Sequence, residues 1–563
     1  MLPCLIFEDD HLLVVNKPPG LNTHAPGPYA GEGLYDWLRH REPRWANLAI
    51  IHRLDKETSG VIVFAKTQAA NRSLTEQFSG RAVRKKYCLL TDRPVPKGEF
   101  VVKTALVRAG EKYLSRPVHA GAAVAETRFR FSGRSGETAG MRPVASGQWP
   151  VPDGSKGAVG VGGYLRVEAE PLTGRTHQIR VHAAERGFPV LGDTLYGGTT
   201  ARRVHLHAAE LTLKHPVTGE QRTFHAAPEF EADPRLLLRA ALLEVEETNA
   251  YGLIQGASDG WPGWEVERVG DYLLSQSEQP LDAAQDTRLE ELAEQFSARG
   301  VYHKPLIRLG RRMSASAPAL ALVQGQPAPH WFTIHENGLQ FELSFGEGYS
   351  VGLFLDQRDN RRRLLTGHVA AGFSLRETEA RPAPIPRSAP LQVLNTFAYT
   401  CGFSVCAARG GGRTTSIDLS TKYLEWGKRN FALNNIPTVQ HEFICGDTFD
   451  WLRRLAKKRR LFDVILLDPP TFSQSKESGA FRAEKDYGKL VRAALPLLTG
   501  GGVLFASTNA AGWAPDEFMS SVETAIRALN RRIAQQHYVP QPPDFPVSRA
   551  EPAYLKTVWL RIE

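Results

Sequence analysis

At 563 residues, 42% hydrophobic and 23% charged, the chain is too long for one hydrophobic core and has the composition of folded globular domains, which excludes wholesale disorder and a fibrous repeat. No apolar run approaches the roughly 20 residues that span a bilayer, and the opening MLPCLIFEDDHLLVVNKPPG carries acids and no small-residue cleavage site, so neither a membrane role nor export is expected. The net charge of +9 lies wholly in residues 1–230, which hold 31 basic and 22 acidic side chains, a bias that suits a polyanionic partner.

Residues 1–230 read as short strands alternating with a few helices, interrupted by a Gly/Ser-rich stretch from Phe131 to Gly163 that has the composition of an inserted loop. An amphipathic, acid-rich pattern predicts a helix around Leu236–Glu247, and strand-like runs follow near Tyr251–Ile254 and Tyr272–Leu274. These are assigned to a small β-rich middle domain, residues 235–340. A Pro-rich segment, Glu379–Pro390, lies within the next domain, 341–563. From Leu391 that domain turns regular: strand LQVLNTF, helix FSVCAARG, strand TTSIDLS, helix KYLEWGKRNFALNN, then strands HEFICGD and FDVILLD. This is the rhythm of a seven-stranded, doubly wound parallel sheet, which binds ligands at the carboxyl ends of its strands. The expected fold class is therefore multi-domain α/β and α+β: a mixed-sheet first domain, the β-rich middle and a Rossmann-like third.

Five cysteines, Cys4, Cys88, Cys401, Cys406 and Cys445, show no Cys-x-x-Cys or Cys/His metal spacing, which favours a reducing cytoplasm and no metal. In the first domain IHRLDKETSGVIVFAKT sets Asp55 between Arg53 and Lys56, ahead of a strand with a buried pattern. Alone, that reads far more readily as a salt-bridged surface turn than as catalysis. A second constellation, LTGRTHQIRVH, supplies Arg175 and Arg180, and a carboxylate held beside a guanidinium stays ionised and oriented.

With VVNKPPGLNTH, HRLDKETSG, the KKY of Lys85–Tyr87, TGRTHQIRVH and HPVTGE in that order, residues 1–230 resemble the RluA family of pseudouridine synthases. The resemblance implies that Asp55 is the nucleophile, that Tyr87 stacks on the target base, that Arg175 pairs with the aspartate and that Arg53 helps displace the uridine from its stack. The chemistry asks for such groups. A uracil must leave its ribose nitrogen, turn and rejoin through carbon, so one group holds the fragments and an aromatic face holds the base. No cofactor is implied for this half. The other reading of Tyr87 is a strand aromatic packed in the core.

The doubly wound half has no G-x-G-x-x-G after its first strand, which disfavours a nicotinamide dinucleotide. Its turn reads NTFAYTCGFS instead. Asp418 ends the second strand, where an acid takes ribose hydroxyls, and Asp447 follows the third, where an acid accepts from an adenine amino group; either acid alone is more often a helix cap, but in register after successive strands they describe a nucleoside pocket. Asp468-Pro469-Pro470-Thr471-Phe472 then forms a stiff strand exit whose carbonyls seek a partner, such as a base amino group.

With TNAYGLIQGASDGWPGWEVERVGDYL, GLFLDQRDNRR, LNTFAYTCGFS, YLEWGKRNFALN and LDPPTFSQSK, residues from about 245 to 563 resemble the class I large-subunit rRNA methyltransferases. The resemblance implies S-adenosylmethionine (SAM) held by Asn395, Phe397, Tyr399, Gly402, Asp418, Asp447 and Asp468, with Pro469, Pro470, Thr471, Phe472 and Asn509 on the substrate side. It also marks a departure: Cys401 stands where the family usually has glycine, so close backbone approach to SAM rests on Gly402 and binding is expected to suffer. Methylating cytosine C5 needs a cysteine to add to the ring, and Ser507-Thr508-Asn509 offers an amide instead. Guanine N7 has an exposed lone pair and needs only positioning, so guanine-N7 methylation of 23S rRNA is the favoured expectation, with guanine N2 next. Two others stand beside it: tRNA in place of rRNA, or a ribosome-assembly factor in which one half binds RNA without catalysis. No stable protein partner is implied.

Overall fold

A computed structural model describes residues 2–119, 123–134, 163–306, 320–347, 350–376, 389–475, 477 and 479–563. Most of the Gly/Ser-rich and Pro-rich stretches marked in the sequence lie outside them. The chain divides into two compact units. The first holds residues 1–25, 33–36 and 47–244; the second holds 26–32, 37–46 and 245–563.

The first unit is built on an eleven-stranded mixed sheet. Across it run Leu5–Glu8, Leu12–Lys17, Ser59–Ala65, Leu206–Lys214, Arg84–Thr91, Leu165–Pro171, Val124–Arg134, Glu99–Ala109 and Lys112–Arg116, with Ala49–Ile50 beside the third and Gln221–His225 beside the fourth. Alternate residues such as Leu12, Val14, Val61 and Val63 pack into one core, and Leu89, Val102, Phe129 and Val167 into another, as a sheet covered on both faces requires. Only Ser59–Ala65 and Leu206–Lys214 run parallel. Their approach is so close that a Cβ on Gly60, φ 118°, would lie 2.3 Å from the Ala208 carbonyl oxygen, which accounts for the glycine after HRLDKETS.

The helix expected around Leu236–Glu247 spans Pro234–Leu242, capped by the Asp233 side chain on the Arg235 amide. It belongs to the first unit rather than opening the middle segment, because the Cys4 amide donates to Ala241 O at 3.0 Å.

In the second unit a five-stranded sheet (Ala250–Gln255, Trp264–Val269, Tyr272–Ser277, Gly300–Pro305, Ala321–Gly325) precedes a seven-stranded one. The latter runs in the order Glu442–Cys445, Arg413–Asp418, Gln392–Thr396, Phe462–Leu467, Leu498–Thr508, Lys556–Ile562, Ile533–Val539, parallel through the first five strands and antiparallel in the last two pairings. The order reverses outward from Gln392–Thr396, which makes the crevice at that strand's carboxyl end the ligand site of the fold. The middle segment does not cluster as a body of its own: Ala250, Val269, Tyr272 and Leu274 share one hydrophobic core with Val393, Phe403 and Phe505 of the doubly wound part. Among the described residues no helix is long and apolar enough to cross a membrane, and all five cysteines are free.

Candidate active sites

In the first unit Asp55 sits in the turn between strands Ala49–Ile50 and Ser59–Ala65, and the NKPPG segment holds that turn. Lys17, fully buried, donates its ammonium to the carbonyls of Pro18, Leu21 and Lys56 at 2.9, 2.6 and 3.1 Å. The Thr23 hydroxyl donates to Leu54 O at 2.8 Å. Three carbonyls match the three hydrogens of an ammonium, so the lysine serves as a knot tying two loops under the aspartate.

The cation beside Asp55 is Arg180, not Arg175. Arg180 Nη1 lies 3.5 Å from Asp55 Oδ2, while its Nε and Nη2 make a two-pronged pair with Asp193 at 2.7 and 2.8 Å and its guanidinium lies over the Tyr196 ring, 5.2 Å from the centroid. Burial works against this charge, but Asp193 and then Asp55 outweigh it and raise the Arg180 pKa. Arg175 is exposed, with its Nε 3.5 Å from Val124 O. The reason is the local chain path: residues 172–177 form a loop, and the helix Gln178–Glu185 that follows turns Arg180 inward.

Tyr87, on strand Arg84–Thr91, is half-buried, and burial followed by the nearby Asp55 charge raises its pKa. Arg53 is exposed. Sequence reasoning missed Asp193, Tyr196 and His177, the last with Nε2 3.9 Å from Asp55 Oδ2. His177 lay inside a motif already singled out; Asp193 and Tyr196 carry no local signal.

In the second unit the turn after strand Gln392–Thr396 is strained. Phe397, Tyr399 and Cys401 all have positive φ, 54°, 47° and 61°, a left-handed conformation that costs non-glycine residues about 1 kcal/mol each. Asp418 holds the turn by accepting from the Tyr399 amide through Oδ2 and from the Ser420 amide through Oδ1, both at 2.8 Å. Its burial raises its pKa against those two bonds. Gly402, buried, opens helix Gly402–Arg409, and a Cβ there would stand 2.8 Å from Leu353 Cδ1. The Cys401 thiol packs against Gly427 of helix Thr421–Leu433.

Other expected ligands have tasks of their own. Asn395, 1% exposed, donates its amide to Ser404 Oγ at 2.9 Å, tying the strand to the helix. Asp447 caps helix Thr448–Lys457 by accepting from the Asp450 amide at 2.9 Å and takes the Ser475 hydroxyl at 2.7 Å. The cap that the sequence left open is thus real, and Ser475 belongs to the SQSK stretch. Tyr399 donates its hydroxyl to Ser350 O at 3.1 Å.

Asp468 closes strand Phe462–Leu467. Gln357 Nε2 lies 3.4 Å from both its oxygens and donates to Ser507 Oγ at 2.8 Å; Asn360 donates to Gln357 Oε1 at 2.8 Å, and Trp559 to Asn360 Oδ1 at 2.9 Å. Burial pushes the Asp468 pKa up to about 6, opposed by Ser507, Arg361 and Gln357. Asp356 is also raised to about 6, by burial and then by Asp468. Gln357 and Asp356 were missed as site residues, although both lie in the GLFLDQRDNRR motif. Pro469 is buried, whereas Pro470, Thr471, Asn509 and Phe472, the last 50% exposed, face outward.

No thiol stands among these contacts. Burial raises Cys401 to about 12 and Cys406 further, while Cys445 is exposed and donates to Leu419 O at 3.4 Å. The donor set at the crevice, a half-buried carboxylate closing the second strand beside a turn of tightly packed backbone, fits a nucleoside. One grouping of metal-ligand type occurs among the described residues: Glu32, His40 and His537, with ligand atoms within 4.8 Å of one another. There His40 Nδ1 lies 2.5 Å and Arg363 3.8 Å from Glu32, so side chains of the protein already serve that carboxylate.

Comparison with known proteins finds a family match in each half of the chain. Residues 11–185 match the model of the RNA pseudouridylate synthases, and residues 274–561 that of the S-adenosylmethionine-dependent methyltransferases. A ribosomal RNA large subunit methyltransferase of Deinococcus radiodurans is 34% identical over 59% of this chain and 78% of its own length. Ribosomal RNA large subunit methyltransferase I of Shewanella frigidimarina is 30% identical over 68% of this chain and 93% of its own. The structure of human RNA pseudouridylate synthase domain containing 4 is 25% identical in sequence, covers 42% of this chain and 92% of its own, and superposes with a TM-score of 0.29.

Proposed function

The chain belongs to the S-adenosylmethionine-dependent methyltransferase family and carries an RNA pseudouridylate synthase domain ahead of it, and on that premise we propose that it modifies large-subunit ribosomal RNA twice, isomerising a uridine and methylating a guanine, at N7. It is an enzyme of two activities whose methyl donor is SAM. The observation that carries the proposal is the pairing of two differently built carboxylates: Asp55 beside a fixed guanidinium, and Asp468 beside the Gln357 amide, with no cysteine among its hydrogen-bonding partners in the described residues.

In the first half Asp55 is the group that engages the ribose, with the Arg180 guanidinium against its Oδ2 in the part expected of Arg175. Tyr87 offers its ring to the uracil and Arg53, exposed, reaches into the stack the uridine leaves. In the second half Asp418 receives ribose hydroxyls, Gly402 permits close backbone approach, and Asn395, Phe397 and Tyr399 shape the turn. Asp447 fixes Ser475 near the adenine end. When bound, SAM supplies an electrophilic methyl group on a sulfonium. Asp468, with Gln357 holding it, accepts from the amino edge of a guanine, Pro469 and Pro470 stiffen the loop, and Thr471, Phe472 and Asn509 line the approach. A guanine N7 presented this way needs no general base, whereas cytosine C5 needs a nucleophilic thiol. The names of the relatives favour ribosomal RNA over tRNA.

The test is nucleoside chromatography with mass detection on an unmodified large-subunit rRNA transcript treated with enzyme and SAM. Pseudouridine is expected to vanish in Asp55→Ala alone and 7-methylguanosine in Asp468→Ala alone. A wild type that yields neither product overturns the proposal.

A further inference from the structure

His177 lies between the two arginines of TGRTHQIRVH and has no evident structural reason to be a histidine. It precedes helix Gln178–Glu185 in a left-handed conformation, φ 55° and ψ 16°, and its side chain makes no cap bond. Asparagine or glycine would sit there with less strain. Strain of this kind is held where the surrounding structure uses the side chain.

The contacts around the ring bear on which nitrogen carries its hydrogen. The Tyr113 amide donates to Tyr196 Oη at 2.9 Å, and Tyr196 Oη lies 2.8 Å from His177 Nδ1. Tyr113 and Tyr196 meet the imidazole edge-on, at 5.6 and 5.7 Å between centroids, and fix its plane. The Tyr196 hydroxyl, already accepting the Tyr113 N–H, can donate its own hydrogen to Nδ1, and in that arrangement the ring hydrogen stands on Nε2. Nε2 lies 3.9 Å from Asp55 Oδ2, the same oxygen that Arg180 Nη1 approaches to 3.5 Å. Burial, ahead of the attraction of Asp55, lowers the His177 pKa, in keeping with a neutral ring.

We infer that His177 is a positioning residue for the isomerisation: its Nε2–H and the Arg180 guanidinium both act on Oδ2 of Asp55, so that Oδ1 is the oxygen presented to the ribose. The inference rests on the assignment of Asp55 above. At 3.9 Å the contact is longer than a hydrogen bond in the free enzyme and closes when the nucleotide displaces water, as catalytic bonds commonly do.

The experiment uses the full chain with His177→Gln, His177→Asn, His177→Gly and Tyr196→Phe, measuring kcat and KM for pseudouridine formation on the large-subunit rRNA transcript. Methyl transfer by the same samples serves as the folding control. A glutamine amide nitrogen falls near the place of Nε2, an asparagine amide nearer Nδ1. The expected order is Gln above Asn and Gly, the latter two losing roughly tenfold or more in kcat with KM nearly unchanged, and imidazole partly restoring the Gly variant. A purely structural role gives the reverse order, since the left-handed backbone favours Asn and Gly; that result overturns the inference. Nitrogen-15 shifts of the imidazole, assigned by difference from the Asn variant, are read without any substrate: hydrogen on Nε2 is expected, and hydrogen on Nδ1 overturns the inference. If wild type makes no pseudouridine on this transcript, the substrate reading fails while the shifts still decide the role of His177.

Discussion

Cys401 and Gly427 occupy complementary space: a Cβ at Gly427 would stand 2.4 Å from Cys401 Sγ and 2.8 Å from its Cβ. The thiol is thereby spent on the contact with helix Thr421–Leu433, where the absence of a side chain at Gly427 makes room for it. Alanine is worth about 1 kcal/mol over glycine in a helix interior, yet overpacking a filled contact costs about 1–3 kcal/mol. Gly427→Ala is therefore expected to lower stability, and Cys401→Gly, which also relieves a left-handed residue, to restore it in the double variant. A double-mutant cycle of thermal unfolding measures the coupling; additive effects would refute the contact.

The same contact bears on the cofactor. The sequence leads to the expectation that cysteine at this position weakens SAM binding, but its side chain packs on Gly427. Cys401→Gly should thus leave the SAM dissociation constant within about threefold of wild type, under 1 kcal/mol. Isothermal calorimetry checks this; a tenfold tightening would show that the thiol does impede the ligand.

Arg180 and Arg175 separate what sequence makes legible from what it does not. Motif order placed an aspartate and an arginine together, and the βαβ rhythm from Leu391 gave the parallel sheet, because both are carried by local pattern. Which arginine turns inward depends on where a loop becomes the helix Gln178–Glu185, a change of phase invisible in the spacing of the two residues. Asn395 illustrates a second limit: a polar residue at a strand end points either to ligand or to its own helix, and here it bonds Ser404. Gln357 illustrates a third, since it meets Asp468 across a separation of 111 positions. The helix Pro234–Leu242 illustrates the same limit, its anchor being Cys4 at the far end of the chain.

Substitution tests the arginine assignment. Arg180→Lys keeps the charge but loses the planar fork that grips Asp193 while reaching Asp55. Pseudouridine formation is expected to fall roughly a hundredfold, with methyl transfer unchanged. Arg175→Ala, removing an exposed side chain, should change kcat far less. Single-turnover assays of the two variants decide it, and equal losses would return Arg175 to the site.

Asp468 yields a pH prediction with a definite sign. Its pKa is raised from 3.8 to about 6, first by burial, so the folded protein holds this proton over a range in which the unfolded chain has released it. Ionisation in the folded state thus costs stability, fully above pH 6 and not at all below about pH 4. Asp468→Asn should therefore gain in Tm over wild type between pH 4 and 6 and hold that gain above. Methyl transfer by wild type should rise over the same interval, because only the ionised carboxylate is a pure acceptor for an amino group. A Tm difference that is flat with pH, or methyl transfer that falls as pH rises toward 6, would remove Asp468 from the base-binding role.

Phe472 directly follows the Asp468–Thr471 turn and is 50% exposed, an apolar ring open to solvent beside the proposed methyl-transfer site. An aromatic face in that place suits stacking on a nucleotide, a contact worth about 1–3 kcal/mol per base. With half of its surface left in solvent, it should contribute less to folding than a core aromatic. Phe472→Ala is expected to keep the wild-type Tm and SAM affinity while raising KM for RNA in methyl transfer by roughly fivefold or more; pseudouridine formation, with its own aromatic in Tyr87, should not follow. Fluorescence anisotropy with a labelled fragment of the rRNA transcript, alongside the two activity assays, measures each term. A fall in Tm with no change in KM would make Phe472 a packing residue instead.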